Sequence, residues 1–481
     1  MPPPADERPA PPSPSSPLST PAASDRSPHL SRQNLPRAVL ELCERLGSAG
    51  YRAWVVGGSV RDSLLDQIFA GAAADTWRAK DWDLATDATP EQVMPLFRKV
   101  IPTGIEHGTV TVLLQGKELE VTTLRAERSY ADGRRPDHVD FVLSIDEDLS
   151  RRDFTVNAIA FEPNTETLVD PFDGLGDLRE RRLRAVGEAA RRFAEDGLRV
   201  LRAARLVATL EFELEPETAQ AIAPSLDTYR RVSAERIRDE WNKALLAREP
   251  SRAYRVMHEH GMLAITAPEV EGLAGAGPVA AASAGHTPTT AFGVALERLD
   301  RCAREVELRL AALLREIDRE PARAAELADA LLVRLRYSNA ERKLVTHLIR
   351  NPVPPRAELA TPASLRRWLR RIGPELHGLA CRLERAHLEA LGAGADELDA
   401  LADFEQRARD ELAKAPPLSL SALAIDGKRL MADAGLKPGR QIGVILEALL
   451  EQVLDDPSEN EPARLLERAR ALAAASAPPA R

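Results

Sequence analysis

The chain has 481 residues and a formal net charge of −9 at pH 7, which argues against a protein coated in base for nucleic acid but leaves room for one local basic groove, since arginine clusters unevenly. Its length allows about two to four domains with a sizeable core, and scarce aromatics with an Ala-, Leu-, Arg- and Glu-rich second half point to a largely helical protein. The sequence has no apolar run of membrane-spanning length and no signal-peptide pattern at its start, and Cys43, Cys302 and Cys381 lie far apart without metal-ligand spacing, which excludes a disulfide framework and a zinc site and suits the reducing cytoplasm.

Residues 1–33 are rich in Pro, Ser and Ala with little to bury, and read as a disordered tail. Order is expected from "LPRAVLELCERLGSAG", where Val39, Leu42, Cys43 and Leu46 recur at helical spacing and Gly47 or Gly50 can end the helix. "YRAWVV" reads as a buried strand entering Gly57-Gly58, followed by a short helix from "SVRDSLL". "DWDLAT" is a second strand, and "TPEQVMPLF" a helix with Thr89 as N-cap and Pro90 at its first position. "TVTVLLQGKELEVTTL" predicts a hairpin turning near Gln115-Gly116-Lys117, with Leu119, Val121 and Thr123 on one face and Glu120 and Thr122 on the other. Residues 34–172 thus read as an α+β domain with a mixed or antiparallel sheet. After "DPFDGLGDL" the pattern is helical almost to the end, with breaks around 272–290 and 350–362.

Four features carry chemistry. Gly57 and Gly58 after a strand let a phosphate approach the backbone, with free N–H groups on the following helix, Arg61 as a charge-assisted donor and Asp62 as an acceptor. A plain tight turn accounts for the same glycines. On a strand, Asp81 and Asp83 share a face away from Trp82 and Leu84, and Glu120 offers a third carboxylate. Such oxygen donors suit Mg²⁺, and two ions can activate a hydroxyl and stabilise a pyrophosphate leaving group. An acidic turn without a metal is the other reading.

"DLSRRDFTVNAIA" clusters Arg151, Arg152 and Asp153 before an apolar alternation interrupted by Asn157. The arginines suit a triphosphate and Asp153 a ribose hydroxyl, or the cluster is a solvated basic edge. In "RRFAEDGLRVLRAARL", Asp196 and Arg199 are neighbours if one helix carries both, with Arg202 and Arg205 continuing nearby. An i, i+3 ion pair is one account. The other is base recognition: a carboxylate accepts from the exocyclic amine of cytosine or adenine while a guanidinium donates to the ring nitrogen, and uracil and guanine reverse both contacts.

These segments, with "KDWDLATDATPEQV", "GIEHGTVTV", "EVTTLRAERSYADGRRPDHVDF" and "DPFDGLGDL", make residues 51 to about 215 resemble the class II tRNA nucleotidyltransferases (CCA-adding enzymes) and the bacterial poly(A) polymerases. The resemblance implies a polymerase-β-like head over 34–172, a helical neck over 173–245, a helical body over 246–390 and a tRNA-binding helical tail over 391–475. It implies template-independent addition of CCA to tRNA 3′ ends from CTP and ATP. Asp81 and Asp83 would be metal ligands, with Glu120 a further catalytic carboxylate. Gly57, Gly58, Arg61, Arg152, Asp153, Asn157, Asp196, Arg199, Arg202 and Arg205 would bind nucleotide, and residues 127–136 would form a loop that helps switch from C to A addition. Poly(A) synthesis, or addition of only CC or only A, is the alternative.

Three further segments bear on the resemblance. Asp66 stands where the family has glycine, and "QIFAGAAADTWRA" lengthens the connection to the DxD, at little entropic cost for a surface loop. "LRLAALLREIDREP" is similar to the family's HD segment but puts Arg315 and Glu316 where His and Asp would be; Arg315 cannot ligate a metal, so phosphohydrolase activity is expected to be absent. The same segment also reads as an ordinary amphipathic helix. Lys428, Arg429, Lys437 and Arg440 are candidate contacts to tRNA phosphates, or a solvated basic rim.

Overall fold

The computed structural model describes residues 28–69, 81–127, 139–141, 144–275, 278–279, 289–355, 361–434 and 436–475. Most of the proline-rich start, most of the 66–79 connection and nearly all of the 127–136 loop lie outside the described residues. The chain divides into two compact units, one formed by residues 1–203 and 212–231, the other by 204–211 and 232–481.

In the first unit, α1 (Arg37–Ser48) buries Val39, Leu42, Cys43 and Leu46, the stripe its spacing predicts. Next come β1 (Ala53–Val56), α2 (Gly58–Ile68) and β2 (Asp83–Thr86). Thr89 caps α3 (Pro90–Val93) in a reciprocal capping box with Gln92. That helix is shorter than the sequence suggests, because Pro95 lies in the 3₁₀ turn that succeeds it. The edge strand β3 (Val100–Gly104) leads to the hairpin β4 (Thr109–Leu114) and β5 (Lys117–Thr123), which turns at Gln115-Gly116 with positive φ at both residues. β6 (Arg125–Glu127) and β7 (Val139–Phe141) form a separate ribbon. After α4 (Ile145–Ser150) and a 3₁₀ turn at Thr155–Asn157 come β8 (Ala160–Glu162) and β9 (Thr167–Val169).

The sheet is mixed and seven-stranded, in the order β3-β4-β5-β2-β1-β8-β9, with β2 and β5 parallel and the other pairs antiparallel. Trp54 and Val56 of β1 pack with Ala85, Leu149, Ala158 and Ala160 in one core cluster. The unit continues through α5 (Gly174–Glu180), β10 (Arg182–Leu183) and α6 (Ala189–Glu195), then into α7 (Leu198–Leu210). It closes with β11 (Glu213–Leu214), α8 (Pro216–Gln220) and α9 (Leu226–Tyr229).

The second unit is largely helical: α10 (Ala234–Leu245), α11 (Ser251–Glu259), α12 (Met262–Thr266) and α13 (Pro268–Gly275) precede a small β12 (Pro278–Val279) and β13 (Thr289–Thr290) ribbon. α14 (Ala291–Arg301), α15 (Val306–Leu314), α16 (Pro321–Arg334), α17 (Asn339–Arg350), α18 (Pro362–Ile372) and α19 (His377–Ala390) follow. The chain ends in α20 (Ala395–Ala413), α21 (Gly427–Asp433), α22 (Arg440–Asp455) and α23 (Pro462–Ala475).

α15 is not the amphipathic helix its sequence allows: Leu308 to Leu314 are all buried, because α10, α14, α16, α17 and α19 pack around it. Its Arg309 is tolerated there because its guanidinium donates to the carbonyls of Leu245, Ala247 and Cys302. A separate apolar cluster joins α21, α22 and α23 through Leu430, Leu449, Leu450, Val453 and Leu465. No helix among the described residues is long and apolar enough to cross a membrane. The three cysteines are free and buried.

Candidate active site

Trp82 and Leu84 are buried while Asp81 and Asp83 face solvent, as alternation predicts. Asp81 itself lies just before β2 rather than in it. The parallel pairing of β2 with β5 sets Asp83 opposite Glu120, so two carboxylates from distant sequence meet on neighbouring strands. Although Asp83 reaches solvent, the protein around its carboxyl partly desolvates and raises it, Arg152 opposes that shift and Asp81 adds to it. Burial also raises Glu120, with Asp83 adding and Arg125 opposing. The neighbouring carboxylates therefore repel one another, and a cation would relieve that repulsion. Among the described residues no group of three His, Cys, Asp or Glu side chains is already gathered as a metal site. The hard oxygen donors of Asp81, Asp83 and Glu120 nonetheless fit a divalent ion of the Mg²⁺ type.

Gly57 connects β1 to α2 at φ +73°, and a Cβ there would lie 3.1 Å from Arg152 Nη1 and 3.9 Å from Asp83 Oδ2. The backbone angle favours glycine, and the Arg152 tip lies close against it. Arg152 and Asp83 thus both lie beside the glycine turn, and the Arg152 Nε is buried without a hydrogen-bond partner among the described residues. Burial lowers the Arg152 guanidinium from its ordinary value, and nearby Asp148 partly offsets this. On α2, Arg61 donates from Nε to Asp62 and from Nη1 to Asn157.

The arginine pair is organised by Asp148, a role not recognised in the sequence. Its buried carboxylate accepts from Arg151 at 2.6 Å and from Arg152 at 3.3 Å. Burial alone would raise Asp148, but Arg151 and Arg152 outweigh it and hold the carboxyl below the usual range. The available signal was spacing, since Asp148 lies three and four residues before the two arginines at the end of a helix.

One expectation needs correction, and two further site residues have partners that the sequence did not show. Asp196 and Arg199 do not share one helix: α6 ends at Glu195, Asp196 is extended, and α7 begins at Leu198. Asp196 Oδ1 accepts from the Leu198 N–H, whereas Arg199 donates to Glu195 and to the carbonyls of Arg192 and Arg151. At this break Gly197 packs closely, and a Cβ there would meet the Thr228–Tyr229 backbone at 2.5 Å. Asp153, expected to face a ribose, is buried and accepts from the Phe154 N–H, Asn157 Nδ2 and Arg202 Nε. Burial would raise its carboxyl, but Arg202, Asn157 and Arg199 hold it well below the usual range. Arg205, expected to bind nucleotide, donates its Nε to Glu240 of α10.

Residues 53–184 match the family described as Poly A polymerase head domain, 211–273 that described as Probable RNA and SrmB-binding site of polymerase A, and 384–469 that described as tRNA nucleotidyltransferase domain 2. Over 232 residues, 48% of this chain, it is 46% identical to a CCA-adding enzyme of Lactobacillus johnsonii. Over 47% of the chain it is 43% identical to a CCA-adding enzyme of Streptococcus suis. The chain spans about half the length of the curated relatives it matches, 56% of each. Its fold is similar to that of the Bacillus stearothermophilus CCA-adding enzyme, solved in complex with CTP, with a TM-score of 0.70 and 29% identity over 91% of this chain and 98% of the other. The Thermotoga maritima CCA-adding enzyme, solved with tRNA, shares the fold at a TM-score of 0.55 and 20% identity over 92% of this chain and 97% of the other.

Proposed function

We propose that this chain, which belongs to the poly(A) polymerase and tRNA nucleotidyltransferase family, is a template-independent nucleotidyltransferase that adds C, C and A to the 3′ end of tRNA. Members of this family generally use divalent metal ions. The observation that carries the reading is the arrangement at Gly57, where Arg152 and Asp83 stand on one glycine turn and Glu120 stands opposite Asp83.

In this reading Asp81, Asp83 and Glu120 hold Mg²⁺, which when bound supplies charge stabilisation to the phosphoryl group and the leaving pyrophosphate. Gly57, Gly58, Arg61 and Arg152 receive the triphosphate of CTP or ATP, and the buried Arg152 Nε, unpartnered among the described residues, is one donor for it. The 3′-hydroxyl oxygen of the tRNA acceptor end attacks the α-phosphorus, a new P–O bond forms and pyrophosphate leaves. The residues contribute chiefly by positioning reactants and stabilising charge. Asp196 and Arg199 read the base, the carboxylate accepting from its amine and the guanidinium donating to its ring nitrogen. Arg199 exchanges Glu195 for the base in doing so. Asp153, Asn157 and Arg202 support that grip from behind.

We retain the division into tail 1–33, head 34–172, neck 173–245, body 246–390 and tRNA-binding segment 391–475 as part of the proposal. Lys428, Lys437 and Arg440 are exposed, and Arg429 is paired with Asp433; these cations suit tRNA phosphates. The reaction is placed in the cytoplasm, where tRNA and reduced thiols coexist.

The test is incorporation. Purified protein given CTP, ATP and a tRNA ending at its discriminator base should add C, C and A and stop. Long poly(A) made from ATP on unstructured RNA, or a product halting at CC, would overturn the assignment.

A further inference from the structure

Asn157 is buried, and both ends of its amide are occupied. Its Oδ1 accepts from Arg61 Nη1 at 2.7 Å, and its Nδ2 donates to Asp153 Oδ1 at 3.1 Å. The other oxygen of Asp153 accepts from Arg202 Nε at 2.7 Å. An unbroken line of side-chain hydrogen bonds therefore runs from Arg61 on α2 through Asn157 and Asp153 to Arg202 on α7.

The amide can sit only one way round. A guanidinium only donates and an ionised carboxylate only accepts, so a flip would oppose donor to donor and acceptor to acceptor. The backbone is fixed as firmly. Asn157 closes a 3₁₀ turn on the Phe154 carbonyl, and Thr155 in that turn donates to the fully buried Asp177. Gly174 of α5 packs so tightly that a Cβ there would meet the Thr155 carbonyl oxygen at 2.4 Å. Asp177 also accepts from Arg182 and Arg184. The "DPFDGLGDL" segment thus clamps the turn that carries Asn157.

We infer that Asn157 is a positioning residue that couples Arg61, on the triphosphate side, to Arg202 on the helix that also carries the base-reading Arg199, so that the two ends of a nucleotide are gripped cooperatively. This rests on the proposed nucleotide site and extends it, because Asn157 acts through Arg61 and Asp153 rather than on the nucleotide. A contiguous network is only a route for coupling; the physical warrant is a measured interaction between its ends.

The experiment is a double-mutant cycle read in CTP binding by calorimetry, without tRNA. Arg61→Lys, Arg202→Lys and their combination are compared in the natural background and again with Asn157→Asp, which keeps an acceptor for Arg61 but cannot donate to Asp153. The combined loss should depart from the product of the single losses by about fivefold in the natural background, and the losses should multiply independently with Asn157→Asp. Asn157→Ser, which removes both bonds without adding charge, serves if Asn157→Asp does not fold. In steady state, Asn157→Asp should raise KM for CTP and for ATP about tenfold while kcat changes less than about threefold. Non-additivity that survives the Asn157 substitutions, or additivity from the outset, overturns the inference. So does a loss confined to kcat. Failure of CCA addition is read separately by incorporation into tRNA, so an enzyme that couples nucleotide binding but does not build CCA overturns the proposed function alone. A protein that binds no CTP overturns both.

Discussion

Glu120 stands opposite Asp83 across a parallel strand pair, and that register brings a carboxylate from the hairpin to the one that follows Trp82. Removing either charge should separate chemistry from binding. Asp83→Asn should lower kcat by about 10²-fold or more, with a smaller loss for Glu120→Gln. Labelled CTP incorporation measures the loss, and filter binding should show tRNA affinity unchanged. Chelation with EDTA should abolish turnover, and added Mg²⁺ should restore it.

Asp148 is buried beneath Arg151 and Arg152. Asp148→Ala leaves two guanidinium groups without their carboxylate, a change that costs about 3–5 kcal/mol where such a pair is buried. Denaturant unfolding should show that loss, and nucleotide binding should weaken with it, because Arg152 is the cation at Gly57.

Gly197 allows the start of α7 to pass against the Thr228–Tyr229 backbone. Gly197→Ala should destabilise the protein by about 1–3 kcal/mol and raise UTP misincorporation by displacing Asp196 and Arg199. Gly272, in exposed helix with open space around its Cβ position, is the control. Gly272→Ala should be neutral or stabilising by up to about 1 kcal/mol. Thermal melting distinguishes the two.

His387 is half-buried beside Arg298, Arg315 and Glu316, and desolvation together with the two arginines lowers its pKa to about 3. Its Nδ1 accepts from Arg298 at 2.9 Å, which requires the neutral ring. Between the ordinary histidine value of about 6.5 and the folded value, the unfolded chain binds a proton that the folded chain refuses. Stability from this group is therefore full above that window and declines as pH falls through it. From pH 7 to pH 5 the loss should be about 2 kcal/mol, read as the difference in denaturant unfolding between the natural protein and His387→Gln.

The elements were legible wherever local chemistry is decisive. The helical stripe of Val39, Leu42 and Leu46, the Thr89-Pro90 start and the Gln115-Gly116 turn each follow from side-chain period or backbone preference over a few residues. The candidate site residues were legible as types, because a phosphate, a metal or a base would favour glycine, carboxylate and guanidinium. Their partners were not. Asp153 could be seen as an acid beside two arginines, but its commitment to Arg202 depends on a helix 49 residues away.

The sequence by itself determined the class of this protein: an α+β head with carboxylates, a glycine turn and arginines in an order that few chemistries require together. Tertiary structure decided which carboxylate meets which cation. An extended Asp196 divides a run that reads as one helix, strand pairing sets Glu120 beside Asp83, and surrounding helices bury α15 on every side. The reason is range. Periodicity and capping are energies of neighbouring residues, whereas desolvation, close backbone approach and ion-pair choice belong to residues that only folding brings together.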